Sequence, residues 1–427
     1  MKIYNTKNIT LSEIPEFKNR AKSCSNKIVD DAREFKRAVL ANGDKELIAL
    51  AQKYDSSLIE SLGVSKKEIE QSGLKLSDDF KAAVKLAISN IRKFHNHCFN
   101  NTKDKIETSA GVTCWQEFRS IDNVGLYIPG GTAPLFSTLM MLGVPAQIAG
   151  CKNIIVCTPS MKDGNVSPET LYVAKLLGLE NIYKIGGAGA IFAMAYGTGE
   201  IPKVDKIFGP GNQYVTAAKM LSSNDISIDM PAGPSEVLII ADDKANSKVL
   251  AADILSQAEH GTDSQSVLLC NSQEIAEKTL AEIELQLSKL SRKEIARRSI
   301  ENSFVVVVQR LKEAVDISNE YAPEHLIINC ENCQKISEQI NNAGSVFCGK
   351  YSAESFGDYL SGTNHTLPTS GFAKSVSGLR VEDFGKWISF QEITRAGFAE
   401  IALAAELLAY AESLEAHKQA VSVRREL

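Results

Sequence analysis

The stretch CKNIIVCTPSMKDGNVSPETLYVAKLLGLENIYKIGGAGAIFAMAYG, residues 151–197, alternates two kinds of segment. The apolar runs at 153–157 and 182–185 have strand length, whereas 168–178 and 188–196 carry apolar residues at helical spacing. Glycine or proline marks most junctions. Working outward, the alternation predicts strands at 204–208 and 236–241 and helices at 137–149 and 212–221. Strands alternating with helices are the pattern of βαβ units and a mostly parallel sheet. After 241 the pattern resumes, with a helix at 245–259, a strand at 266–270, a helix at 273–288, a strand at 303–308, a helix at 310–319 and a strand at 344–348. Two α/β lobes of similar design are expected, although no direct repeat links them. Residues 12–98 read as helical, 105–128 hold a short strand-like passage, and 392–417 read as a helix rich in Ala, Leu and Glu.

With 427 residues the chain has room for two or three domains and a large core. A net charge of −5 and the lack of long basic runs argue against nucleic acid or an anionic membrane as partner. Residues 123–151 contain no charged side chain and are long enough to span a bilayer. Pro129, Gly130, Gly131, Pro134 and Pro145 interrupt that stretch, so a buried loop followed by a core helix is the expected structure. The start, MKIYNTKNIT, lacks the apolar core of a secretory signal. The nine cysteines therefore read as reduced thiols of a cytoplasmic protein, and the Cys330–Cys333 pair, without a second CxxC, as incidental.

Among the six histidines, His95 and His97 are two apart on an expected helix and read as surface or helix-end residues. The other four occupy polar, glycine-rich surroundings. In SQAEHGTDSQ (256–265), Gln257 and His260 are three apart and share a helix face able to present an amide oxygen and an imidazole to one ion. In GDYLSGTNHTLPT (357–369), Asp358 and His365 suit a loop converging on a ligand; a solvated loop fits equally. In YAPEHL (321–326), Pro323 biases Ala322 toward an extended conformation, so Glu324 and His325 project differently, and a neutral imidazole is a suitable base. An ordinary helix start is the alternative there. In AESLEAHK (411–418), Glu412 and His417 read, unaided, as part of a charged terminal helix. His, Asp and a carbonyl oxygen together suit zinc or a related dication. Neither HExxH nor GxxxxGK[ST] occurs.

Three glycine loops, LYIPGGTAPLFST (126–138), GGAGAI (186–191) and KIFGPGN (206–212), each follow strand-like sequence and precede an expected helix. Such loops let backbone N–H groups approach a phosphate. None is a GxGxxG, since Phe192 follows Gly187 and Gly189 at the third position. A dinucleotide site is compatible with this spacing without being specified by it.

Taken in order with IDMPAGPSEVLIIAD (228–242) and AGSVFCG (343–349), these segments closely resemble the histidinol dehydrogenase family over residues 120–418. The resemblance implies an α/β fold of two incomplete Rossmann-like lobes, aldehyde-dehydrogenase-like, plus small helical N- and C-terminal segments. It divides the chain into an N-terminal segment 1–20, a first lobe from 21–125 and 236–378 with the catalytic and zinc residues, a second, NAD-side lobe 126–235, and a C-terminal segment 379–427 reaching the partner of a homodimer. It implies one Zn2+ per subunit and NAD as cofactors, and L-histidinol as the substrate, oxidised twice to L-histidine. Family zinc ligands map onto Gln257, His260, Asp358 and His417, and the catalytic pair onto Glu324 and His325. Substrate contacts map onto Ser235, Gln257, His260, His325, Asp358, His365, Glu412 and His417; NAD contacts map onto Tyr127, Gly189 and Asn212. At Gly189 the family pattern has glutamine, so weaker or differently posed NAD, met by a backbone N–H, is expected there. The alternatives are a relative oxidising another zinc-bound alcohol, a zinc hydrolase, a non-catalytic NAD-binding protein, and an aldehyde dehydrogenase with a cysteine nucleophile. The intact substrate positions, the missing metallohydrolase motif, and cysteines without an adjacent base argue against them.

Overall fold

The computed structural model describes residues 1–427 except 8, 19, 21–24, 131–133 and 231–232. Gly131 and parts of the 126–138 and 228–242 motifs therefore lie outside the described residues. The chain forms two compact units, one from Met1–His97 with Ile121–Phe384, the other from Cys98–Ser120 with Gly385–Leu427.

The larger unit contains two wholly parallel sheets. In the first, the strands run in the order Lys2–Asn5, Phe304–Val307, Gln265–Cys270, Glu236–Ala241, His325–Asn329, Ser345–Cys348. In the second the order is Ile182–Lys184, Asn153–Thr158, Asn123–Tyr127, Lys206–Phe208, Ser227–Ile228. The continuous apolar runs have a simple cause: helices cover both faces, so the strands Glu236–Ala241, Gln265–Cys270, Phe304–Val307 and His325–Asn329 are buried throughout. Along Glu236–Ala241, Val237, Ile239 and Ala241 enter one hydrophobic cluster while Leu238 and Ile240 enter the opposite one, as a period of two requires. The second sheet divides in the same way, with Val124 and Leu126 on one side and Tyr127 on the other. The α/β pattern expected from the sequence is thus realised as two parallel sheets.

Within the uncharged stretch 123–151 run the strand Asn123–Tyr127 and the buried helix Phe136–Ala149, which carries Pro145; the buried loop expected between them lies in part outside the described residues, and Gly130 and Pro134 on either side of that part are exposed. Among the described residues, no helix is long and apolar enough to cross a membrane. The helices Asn26–Asn42, Asp44–Tyr54 and Asp78–Cys98, grouped above with 236–378, supply Ala32, Val39, Leu47, Val84 and Ile91 to the clusters around the second sheet.

The smaller unit is an antiparallel sheet in the order Gly385–Ile393, Val112–Ser120, Ile106–Ser109, followed by the helices Arg395–Ala411 and Glu415–Ser422. Two readings change here. A nine-residue strand, Gly385–Ile393, runs into the first two residues of the helix expected at 392–417, because Phe390 stacks on Trp115 at 5.3 Å and Trp387 meets Phe118 edge-on at 5.6 Å across the pairing. The single terminal helix breaks at Ser413, where φ is +60°, so Glu412 and His417 stand on either side of a turn.

Candidate functional site

In the parallel sheets, two sets of expected site residues gather at strand ends of opposite polarity. Tyr127, Gly189 and Asn212 follow the carboxyl ends of strands in the second sheet, where open α/β sheets hold nucleotides. Ser235 and the Glu324–His325 pair lie at the amino ends of strands in the first sheet, and Gln257 and His260 end the helix leading to the next strand.

Glu324 and His325 are both buried where the chain enters the strand His325–Asn329. The preceding helix, Leu311–Tyr321, ends at Ala322 in the left-handed region (φ 51°, ψ 69°), not in the extended conformation expected before Pro323, because Ala322 caps the helix with its N–H on the Ser318 carbonyl. Glu324 Oε2 accepts the Glu236 backbone N–H at 2.8 Å and lies 3.5 Å from His325 Nδ1. That nitrogen also lies 3.2 Å from the Glu236 carbonyl oxygen, and Nε2 has no hydrogen-bond partner among the described residues. Around the ring stand Glu354 at 3.7 Å and Asp358 at 3.9 Å. Burial works to lower the imidazole's pKa; the carboxylates of Glu354, Glu324 and Asp358 outweigh it and push it up to about 10. Glu354, the most deeply buried of these acids, is itself pushed up to about 8, chiefly by burial.

Possible metal-ligating atoms of His260, Glu354 and Asp358 lie within 4.8 Å of one another. Gln257 is fully buried one turn before His260, and among the described residues both its side-chain polar atoms lack a partner, as does Glu354 Oε2. A buried amide with neither hydrogen bond made costs on the order of 1–3 kcal/mol per group. An oxygen-rich, nitrogen-containing donor set with orphaned buried atoms and surplus negative charge fits a dication. His417 and Glu412 are exposed in the smaller unit. His365 Nε2 lies 3.3 Å from Ser137 Oγ on the helix Phe136–Ala149, and burial lowers its pKa.

On the other sheet, the Gly187 N–H donates to the Tyr127 hydroxyl at 3.1 Å. Asn212 caps the helix Gln213–Ser222, its Oδ1 accepting from Tyr214 and Val215. Its oxygen is thereby used, and its amide N–H2 is the part left for a ligand. Gly189 lies in the first turn of the helix Gly187–Tyr196, and a Cβ there would meet Leu50 at 3.2 Å and Leu47 at 3.5 Å. The helix Asp44–Tyr54 occupies the space a longer side chain would need.

Several site residues were not legible in advance. Glu354 shares a face with Asp358 one turn later, a spacing the sequence does show. Glu236, Asp253 and Asp55 gave no such signal; burial pushes the latter two carboxyls up to about 6. The Asp55 carboxylate takes the Gly186 N–H at the glycine loop. His95, expected at the surface or a helix end, is in the last turn of its helix but buried, 3.5 Å from the Asn364 amide. The described cysteines are all free, and burial pushes the Cys330 thiol up to about 12.

The histidinol dehydrogenase family model matches residues 18–425. The chain is 51% identical over 400 residues to histidinol dehydrogenase of Bacteroides fragilis strain YCH46, covering 93% of each. It is 50% identical over 407 residues to that of Pasteurella multocida strain Pm70, covering 95% of this chain and 94% of the relative. The crystal structure of histidinol dehydrogenase from Elizabethkingia anophelis matches with a TM-score of 0.95 at 48% identity, over 100% of this chain and 98% of that one. The chain belongs to the histidinol dehydrogenase family.

Proposed function

We propose that this chain is a zinc-dependent histidinol dehydrogenase that carries out two successive NAD-dependent oxidations, L-histidinol to L-histidinal to L-histidine, in histidine biosynthesis. The observation that carries this reading is the buried Glu324–His325 pair beside the His260–Glu354–Asp358 cluster. Gln257, His260 and Asp358 would hold zinc with His417 of the partner subunit, and Glu354 is the further acid within reach. Bound zinc would supply an orienting Lewis acid for the substrate's nitrogens, and NAD the hydride acceptor, two molecules per histidinol.

His325 accepts the carbinol proton in the first oxidation and the hydrate proton in the second. Glu324 takes the proton of the water that adds to the aldehyde. A dication would offset the carboxylates that otherwise keep the imidazole protonated, which frees it to act as base. Ser235 and His365 contact the substrate, with Glu412 from the partner subunit. Tyr127, the Gly189 backbone and Asn212 take NAD. The residues within 236–378 form the catalytic side and those within 126–235 the NAD side. A cytoplasmic homodimer completes the reading; Leu403, Leu407, Leu408 and Tyr410, all exposed on Arg395–Ala411, support it as apolar surface available for a second copy.

The test is stoichiometry. Purified protein with zinc, NAD and L-histidinol is expected to give about two NADH per histidinol consumed. One NADH would indicate oxidation halting at an aldehyde, and none would remove the reading.

A further inference from the structure

We propose that Arg20, in the N-terminal segment, is a positioning residue for Glu324 and His325, clamping both the turn that delivers them and the backbone that orients them. This rests on their reading as the catalytic pair. Arg20 touches neither side chain through a hydrogen bond; it acts through neighbours on two sides.

On one side its guanidinium grips Glu236 with a fork, Nε to Oε1 at 2.6 Å and Nη2 to Oε2 at 2.5 Å. The Ser370 N–H adds a third bond to that carboxylate at 3.1 Å. Glu236 is buried, so this geometry fixes its backbone, and that backbone is what meets the pair: its N–H binds Glu324 Oε2 and its carbonyl oxygen faces His325 Nδ1. On the other side Nη1 donates to the Tyr321 carbonyl and Nη2 to the Ala322 carbonyl at 3.3 Å. These carbonyls bracket Ala322, whose φ of 51° is a left-handed conformation disfavoured for a residue with a Cβ. The guanidinium also lies 3.6 Å from the centre of the Tyr321 ring, whose hydroxyl is held by Gln265 at 2.7 Å.

Only a planar, five-donor cation serves all these acceptors at once; lysine keeps the charge and loses the fork. Displacement of a reacting group by about 1 Å costs on the order of a hundredfold in rate. The expectation for Arg20→Lys is therefore a kcat lowered about tenfold, with KM for histidinol and NAD held within about twofold. Arg20→Ala loses about a hundredfold, and added guanidinium restores part of it, which a purely structural arginine would not show. Glu236→Gln, which keeps the shape and weakens the fork, gives the same kcat-selective loss. The proposal is overturned if Arg20→Lys and Glu236→Gln keep wild-type kcat, if guanidinium restores nothing to Arg20→Ala, or if all three variants unfold, since Arg20 is then a stability residue. A wild-type protein that makes no NADH from histidinol removes the catalytic reading itself, an outcome distinct from a competent wild type matched by its Arg20→Lys variant.

Discussion

Gly344 lies against the backbone of Glu324: a Cβ built on it would stand 2.6 Å from the Glu324 carbonyl oxygen. The Gly344 N–H donates to Pro323 O and the Ser345 N–H to Glu324 O, both at 2.9 Å, so the neighbouring strand is laced to the turn bearing the proposed catalytic pair, Glu324 and His325. Gly344→Ala must push that turn aside. Overpacking of this kind costs roughly 1–3 kcal/mol. We expect a modest fall in Tm together with a kcat loss of about tenfold or more, larger than the stability change alone explains, from thermal melts and steady-state kinetics on one preparation.

The two members of the pair are separable by step. Glu324→Gln is expected to slow oxidation of histidinal more than oxidation of histidinol, because it removes the acceptor for the water's proton. His325→Asn should slow both. General-base groups contribute about 10²- to 10⁴-fold, so each affected step should fall within that range. Mild and equal effects of both variants on the two half-reactions would refute the division.

A dication bound at the His260–Glu354–Asp358 cluster, as proposed, would stabilise the folded chain by mass action, about 2.7 kcal/mol at a hundredfold excess over its dissociation constant. Chelation should lower Tm and abolish turnover, and zinc should restore both. His260→Ala and Glu354→Gln should retain less zinc after dialysis, measured by elemental analysis. A Tm indifferent to chelator would count against a metal in this place.

His95 supplies a pH dependence remote from the reaction. Burial holds its pKa down to about 4, with Glu382 opposing weakly. The folded state therefore binds its proton less readily than the unfolded chain does. Stability from this group is present above about 6.5 and is lost as pH falls through that value toward 4. A tenfold weakening of proton binding corresponds to about 1.4 kcal/mol, so the loss is on the order of 3 kcal/mol. His95→Leu should flatten denaturant-derived stability between pH 7 and pH 4 relative to wild type, roughly the interval over which the buried imidazole resists its proton.

The α/β architecture could be read in advance because each lobe's strands and helices follow one another locally, as Asn153–Thr158, Pro168–Leu176 and Ile182–Lys184 do. Elements that pair across long separations were harder. Lys2–Asn5 has no strand signal without Phe304–Val307, and Gly385–Ile393 acquires its structure from Val112–Ser120. In the site, His325 and Glu324 are picked out by the ordered family motifs; the local reading through Pro323 does not single them out, since Ala322 is left-handed and not extended. Glu354 did not, because a glutamate opening a short helix is ordinarily solvated. What makes it unusual is burial, a property of the assembled chain. Gly189 was read as a missing amide; in the fold it is the place where Leu47 and Leu50 pack against the glycine helix.

The pairing of Lys2–Asn5 with Phe304–Val307 also sets an order of events during synthesis. The two partners are roughly 300 residues apart, so at about 5–20 residues per second the earlier strand waits on the order of 15–60 s for the later one. Arg20 lies just after that waiting strand, and its carbonyl and carboxylate partners sit at positions 236, 321 and 322. The clasp on the catalytic turn therefore closes late on the ribosome. A nascent chain arrested before the first sheet is complete would hold a finished second sheet and no competent site.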